Sequence, residues 1–191
     1  MREYKTYVFD LDGTLLNTIN DLAASVNFAL KEYGMSQHTV DEVRNFVGNG
    51  VKKLMERAVP DGLDTTKPYP GIVDLLRELK KRGKNIAVVS NKFYDATGEL
   101  VRHFFGEYVK VAIGERENIR KKPAPDTVLE AFRLLGVDKE EAVYIGDSDV
   151  DVNTAKNVGI PCISVLWGFR DKEFLIENGA TTFVETPQEI L

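Results

Sequence analysis

Tyr7-Val8-Phe9-Asp10-Leu11-Asp12-Gly13-Thr14-Leu15 is an apolar run that ends in two carboxylates one residue apart. A strand alternates its side chains between two faces, so Asp10 and Asp12 are expected to point the same way at the strand's carboxyl end, with Leu11 turned aside. Gly13 then permits a sharp turn. Two like charges this close repel unless a cation or a proton sits between them, which suits a metal site or an acid/base pair. Taken alone, the same residues also describe an acidic turn closing a strand.

Outward from this strand, apolar runs of strand length alternate with helical patterns. That alternation predicts an α/β fold, a central parallel sheet with helices on both faces. Strands are expected at Lys5–Asp10, Asn85–Ser90, Val109–Ile113, Ala142–Gly146, Pro161–Val165 and Thr181–Val184. Helices are expected near Ile72–Arg82, Asp95–Phe104, Pro125–Leu135, Val150–Val158 and Lys172–Glu177. Ile72, Leu75, Leu76 and Leu79 show the helical spacing, and Gly83, Gly136, Gly159 and Gly179 mark helix ends. Between the first two strands lies more chain than a crossover needs. Ile19, Leu22, Ala23, Val26, Ala29, Leu30 and Tyr33 form one stripe of an amphipathic helix that stops at Gly34. Shorter helices are expected near Val40–Phe46 and Val51–Ala58, and Lys67-Pro68-Tyr69-Pro70-Gly71 marks the return. The expected division is a small helical insertion over residues 16–69 in a core made of 1–15 and 70–191.

With 191 residues, 43% hydrophobic and 29% charged, the chain suits a soluble globular protein. Its net charge of −5 argues against a nucleic-acid partner, because phosphate-binding surfaces are normally basic. The basic runs Lys80-Lys81-Arg82 and Arg120-Lys121-Lys122 fit a solvated helix end and a loop. Cys162 stands alone and cannot form an internal disulfide, and its apolar surroundings fit an inert buried thiol. No apolar stretch reaches the ~18 residues of a membrane span, and charges stand where a signal peptide needs its apolar core. A cytoplasmic protein with no membrane partner is therefore expected. Monomer and homodimer are both left open.

In an open parallel sheet, ligands bind outside the carboxyl ends of the strands, and the polar candidates fall there. The first strand delivers Asp10 and Asp12, the second ends in Ser90-Asn91-Lys92, and the fourth ends in Gly146-Asp147-Ser148-Asp149-Val150-Asp151. Before the helix at Pro125 comes Lys121-Lys122-Pro123-Ala124-Pro125, where prolines fix a loop that aims Lys122 at one point. Singly, each has a plain structural explanation, such as a turn hydroxyl or carboxylates at a helix N-terminus. Their convergence on one sheet edge favours a site. Oxygen ligands from Asp10 and Asp147 with room for water and phosphate suit magnesium. A lysine and a hydroxyl beside them suit the oxygens of a phosphoryl group, so the expected reaction class is phosphoryl transfer.

The ordered motifs Asp10-Leu11-Asp12-Gly13-Thr14, Ser90-Asn91, Lys122-Pro123 and Gly146-Asp147 with Asp151 resemble those of haloacid dehalogenase superfamily phosphatases. The phosphoglycolate phosphatase-like branch, with a helical cap inserted after the first strand of a three-layer Rossmann-type core, is the nearest match. The resemblance implies that Asp10 is a nucleophile forming an aspartyl-phosphate and Asp12 a general acid and base. It implies magnesium held by Asp10, the Asp12 backbone carbonyl and Asp147, with Asp151 behind them. Thr14, Ser90, Asn91 and Lys122 would bind phosphate. Dehalogenases of the superfamily lack the second aspartate, so that activity is not expected here. The substrate class implied is a small phosphorylated metabolite of the phosphoglycolate type. Alternatives are inorganic pyrophosphate, sugar or nucleotide monophosphates and, in another class, a non-catalytic phospho-ligand or phosphoacceptor domain.

Substrate choice in such proteins belongs to the cap. Gly48-Asn49-Gly50 would face the pocket, and Lys52 or Arg44 could meet an anionic leaving group; a glycine turn flanked by solvated basic residues is the plainer reading. Trp167-Gly168-Phe169-Arg170 resembles the branch's Trp-Gly loop bordering the entrance, although Trp167 as ordinary core fits equally. His38 and His103 have no paired ligands. Between Gly50 and Tyr69 the chain is shorter than in fully capped relatives, which leaves either a reduced cap or an omitted segment near residues 59–67.

Overall fold

The structure, a computed structural model, describes residues 3–32, 36–46 and 66–191. In chain order its elements are β1 (Thr6–Phe9), β2 (Leu16–Asn17), α1 (Ile19–Glu32), α2 (Val40–Phe46), β3 (Lys67–Pro68), α3 (Ile72–Lys81), β4 (Asn85–Phe93) and α4 (Tyr94–Phe105). There follow β5 (Val111–Glu115), α5 (Asp126–Leu135), β6 (Ala142–Gly146), α6 (Asp149–Val158), β7 (Cys162–Val165), α7 (Lys172–Glu177) and β8 (Phe183–Val184). The helix expected near Val51–Ala58, the end of the first cap helix at Tyr33 and Gly34, and most of the short stretch near 59–67 lie outside the described residues.

Six strands form one parallel sheet in the order β5-β4-β1-β6-β7-β8. The strands are buried on both faces because each residue parity meets a different helix layer. Tyr7, Phe9, Ile86, Val88, Val143 and Ile145 pack on the side of α3 and α4 with Leu75, Leu76, Leu79 and Phe105. Val8, Ala87, Val89 and Tyr144 pack on the other side against Val128 and Phe132 of α5 and Ala155 and Val158 of α6. The alternation of layers is what the alternating sequence pattern predicts. Among the described residues no helix is long and apolar enough to cross a membrane.

β1 sits at the centre, and the chain leaves it first toward β4 and β5 and later returns on its other side as β6, β7 and β8. That reversal is the topological switch point at which open sheets bind ligands. Phe9 pairs with Val88 of β4 and Ile145 of β6, so the residues just beyond these positions share one edge. β4 runs past the Ser90 expected as its end. Its ladder with β5 breaks between Val89 and Phe93, and this irregularity carries Ser90, Asn91 and Lys92 out of the regular pleat.

Between β1 and α3, β2 and β3 pair antiparallel at the base of the inserted segment. Leu22, Ala23 and Val26 of α1 pack on Val43 of α2. The Asn27 side chain of α1 holds the segment that leads into α2, donating to the His38 carbonyl (2.7 Å) and accepting from the His38 amide (2.8 Å).

Candidate active site

Asp10 follows β1 directly; its amide donates to the Ile145 carbonyl of β6 at 2.9 Å, and its side chain is buried. One carboxylate oxygen, Oδ1, accepts from Lys122 Nζ at 2.5 Å. Asp12, half-buried, turns its Oδ1 toward the Thr18 hydroxyl (2.8 Å) and Lys92 Nζ (3.3 Å). Gly13 between them and Thr14 has φ 85°, and a Cβ there would come within 2.4 Å of Asp147 Oδ2. Only glycine can make this turn beside that carboxylate.

Lys122 is brought in by a loop 31 residues after Asn91, and the two are tied by a double hydrogen bond. The Asn91 amide donates to the Lys122 carbonyl (3.0 Å), and the Lys122 amide donates to Asn91 Oδ1 (2.8 Å). Expected at the phosphate, Asn91 thus has both side-chain groups committed to anchoring the lysine loop. The ammonium of Lys122 donates to Asp10, Asp151 Oδ1 (2.8 Å) and the Tyr144 hydroxyl (3.1 Å). Tyr144 donates in turn to Asp151 Oδ1 at 3.0 Å. Asp151 Oδ2 accepts from the Ser148 amide and hydroxyl, a capping box that starts α6. Burial opposes the charge on Lys122, but the Asp10 and Asp151 carboxylates outweigh it and hold the lysine pKa well above its ordinary value.

Asp147 follows β6 and is fixed from two sides. The Phe169 amide donates to its Oδ2 at 2.7 Å and the Thr14 hydroxyl to its Oδ1 at 3.4 Å. Thr14, expected at the phosphate, is fully buried, and its hydroxyl faces the Asp147 carboxylate. Trp167 donates its indole N–H to the Thr14 carbonyl at 3.0 Å, locking the loop after β7 onto the turn after β1. A Cβ on Gly168 would stand 2.3 Å from Asp147 Cβ and 2.6 Å from the Gly13 carbonyl oxygen.

Carboxylate oxygens of Asp10, Asp147 and Asp151 lie within 4.8 Å of one another, all three residues buried. Burial, then repulsion from Asp151, pushes the Asp147 carboxyl up to about 7. Burial likewise raises Asp10 well above the carboxylate range, against the pull of Lys122. Three buried carboxylates against one ammonium leave excess negative charge, which a proton or a cation must neutralise. An all-oxygen donor set of this charge fits a hard divalent cation. Asp151 already has both oxygens engaged by Lys122, Tyr144 and Ser148, whereas Asp10 Oδ2 has no hydrogen-bond partner among the described residues. The Asp12 side chain stands apart from this cluster.

Ser90 is buried, and its hydroxyl accepts from the Lys92 amide at 3.1 Å, which leaves its proton available to donate. A cleft of about 530 Å³ borders the site, lined by Arg44 of α2, Tyr69, Trp167 and Arg170 among others. Arg44 pairs with Asp41 at 2.5 Å. Burial raises the Tyr69 hydroxyl pKa, an effect to which Asp147 and Asp12 add. Gly48, Asn49, Gly50 and Lys52 lie outside the described residues. Sequence reasoning missed Tyr144, Thr18, Lys92 and the Phe169 amide. A tyrosine within a wholly buried strand was the one signal available, since a buried phenol needs a partner. Burial, then repulsion from Asp151, raises the Cys162 thiol to about 12, which disfavours the reactive thiolate.

Residues 7–165 match the family model of haloacid dehalogenase-like hydrolases. The phosphoglycolate phosphatase of Aquifex aeolicus (strain VF5) is 32% identical over 183 residues, covering 86% of each chain. Phosphoglycolate phosphatase 1 of Pseudomonas aeruginosa is 28% identical over 210 residues, covering 96% of this chain and 77% of its own. The crystal structure of a candidate phosphoglycolate phosphatase from Lactobacillus delbrueckii subsp. bulgaricus superimposes with a TM-score of 0.94 at 34% identity, covering 99% of this chain and 97% of that one.

Proposed function

The chain belongs to the haloacid dehalogenase-like hydrolases and is a phosphatase, and we propose that it is a magnesium-dependent hydrolase of small phosphate monoesters of the phosphoglycolate type. The observation that carries this reading is Lys122 Nζ at 2.5 Å from Asp10, beside an Asp147 carboxylate held by two donors. Asp10, Asp147 and the Asp12 backbone would hold the cation, which supplies positive charge where the phosphoryl oxygens gather. Residues 16–69 act as the cap that sorts leaving groups.

Asp10 Oδ2 attacks phosphorus in line as the bond from phosphorus to the leaving oxygen breaks. Asp12 gives its proton to that oxygen. Water then attacks the aspartyl-phosphate while Asp12 takes a proton from it, the bond between Asp10 and phosphorus breaks, and inorganic phosphate is released. Ser90 and Lys122 orient and neutralise the phosphoryl oxygens throughout. Asp151 and Tyr144 fix the lysine, and Asn91 fixes its loop.

The test is phosphate release, with and without magnesium, from 2-phosphoglycolate, pyrophosphate, hexose phosphates and nucleoside monophosphates. Magnesium-dependent release led by 2-phosphoglycolate is the expected result. Pyrophosphate or a sugar phosphate in the lead would replace the substrate assignment. An Asp10→Asn variant should fold and release no phosphate, and turnover by that variant would remove Asp10 from the nucleophile's role.

A further inference from the structure

We propose that Lys92 selects the leaving group, favouring substrates that carry an anionic group on the oxygen that bridges to phosphorus or on the atom next to it. The inference rests on the phosphatase reading above, in which Asp12 protonates that bridging oxygen.

Three observations point to Lys92. Its ammonium lies 3.3 Å from Asp12 Oδ1, and the two side chains are only 21% and 16% exposed, so the pair is largely shielded from solvent. A solvated surface pair would have little bearing on binding. Among the described residues only Oδ1 of Asp12 is engaged, by Thr18 and Lys92, which leaves Oδ2 for the bridging oxygen. Lys92 has three N–H donors, and Asp12 is its one ion-pair partner among the described residues. The irregular end of β4 that carries Ser90 to the phosphoryl group therefore also carries an ammonium to the leaving group.

Geometry then sets the length of the substrate. The bridging oxygen must lie about 2.7 Å from Asp12, and an anion bound by Lys92 about 2.8 Å from its nitrogen. Because that nitrogen stands 3.3 Å from the same carboxylate, a substrate whose two oxygens are near neighbours meets both groups at once. One intervening atom, the second phosphorus of pyrophosphate, or two, the carbons that lead to the carboxylate of a phosphorylated 2-hydroxy acid, keep both oxygens within reach. A hexose phosphate offers no such charge, and in a longer carboxyalkyl phosphate the charge lies too far away.

The experiment compares 2-phosphoglycolate with 2-hydroxyethyl phosphate, in which a hydroxymethyl group replaces the carboxylate. The wild-type ratio of kcat/KM should favour the carboxylate tenfold or more. Lys92→Gln should reduce that ratio at least tenfold, chiefly through KM, and lower pyrophosphate hydrolysis too, whereas Lys92→Arg should keep most of the preference. Equal loss on both esters in Lys92→Gln would mean that Lys92 serves only Asp12, and the proposal would fall alone. A wild-type enzyme with no preference between the esters would overturn the substrate class of the preceding section together with this proposal.

Discussion

Lys122 cannot neutralise its surroundings, and that imbalance governs how the site responds to pH. Its ammonium faces Asp10 and Asp151, with Asp147 beside them. Asp147, whose carboxyl is raised by burial from 3.8 to about 7, therefore stays protonated in the folded chain at pH values where the unfolded chain has already ionised it. The folded state holds more protons across that window, so stability falls as pH rises from about 4 through 7. Asp10 shifts in the same direction, while Lys122, with a raised pKa, stays charged throughout. A divalent cation takes over the proton's task at high pH. The melting temperature of the metal-free protein should therefore fall between pH 5 and pH 8, and magnesium should raise it more at pH 8 than at pH 5. Thermal melts at the two pH values measure this, and a magnesium effect independent of pH would contradict the charge argument.

At the scale of elements, the site is assembled by the segments that follow strands, and these differ in how much their sequence reveals. Asp10, Asp12, Lys122 and Asp147 were legible because charged residues at apolar strand ends and in a proline-fixed loop stand out from their surroundings. The helices were legible from periodicity and glycine stops, and α7 has the expected bounds, Lys172–Glu177. The extension of β4 to Phe93 was not, since a broken ladder depends on the partner strand. The loop after β7 was legible as a motif bordering the entrance, but not as the support of Asp147, because Phe169 gives that carboxylate its backbone N–H, which every residue but proline possesses. Asn91 was read as a phosphate ligand, for nothing local shows that its partner is a loop 31 residues away. Gly168 offers a test of that loop. Gly168→Ala would place a methyl 2.3 Å from Asp147 Cβ and 2.6 Å from the Gly13 carbonyl oxygen, neither of which is a flexible side-chain end. Asp147 must shift, and the magnesium concentration for half-maximal phosphate release should rise about tenfold or more, as loss of support around a metal ligand typically does. An unchanged midpoint would show that the loop does not set the position of Asp147.

Over the whole molecule, the two faces of the sheet and the inserted helices divide the apolar packing unequally. β1, β4 and β6 contribute to extensive clusters on both faces of the sheet, so their hydrogen bonds break only when the core comes apart. Among the described residues the packing between α1 and α2 is Leu22, Ala23 and Val26 against Val43, with Leu30 at its edge. Burial of such side chains contributes roughly 1.5–3 kcal/mol apiece, while each residue ordered costs about 1–2 kcal/mol of backbone entropy. Among the described residues this cluster is far smaller than those of the sheet, and the two helices are expected to open as a separate unit. Native-state hydrogen exchange should find the amides of Val8, Ala87 and Val143 exchanging only through global unfolding. Those of Leu22 and Val26 should exchange through a smaller opening, with a lower free energy and a shallower dependence on urea. One shared free energy and urea slope for both sets would mean that the insertion and the sheet unfold as one cooperative body, and that a cap over this site opens only by rigid movement.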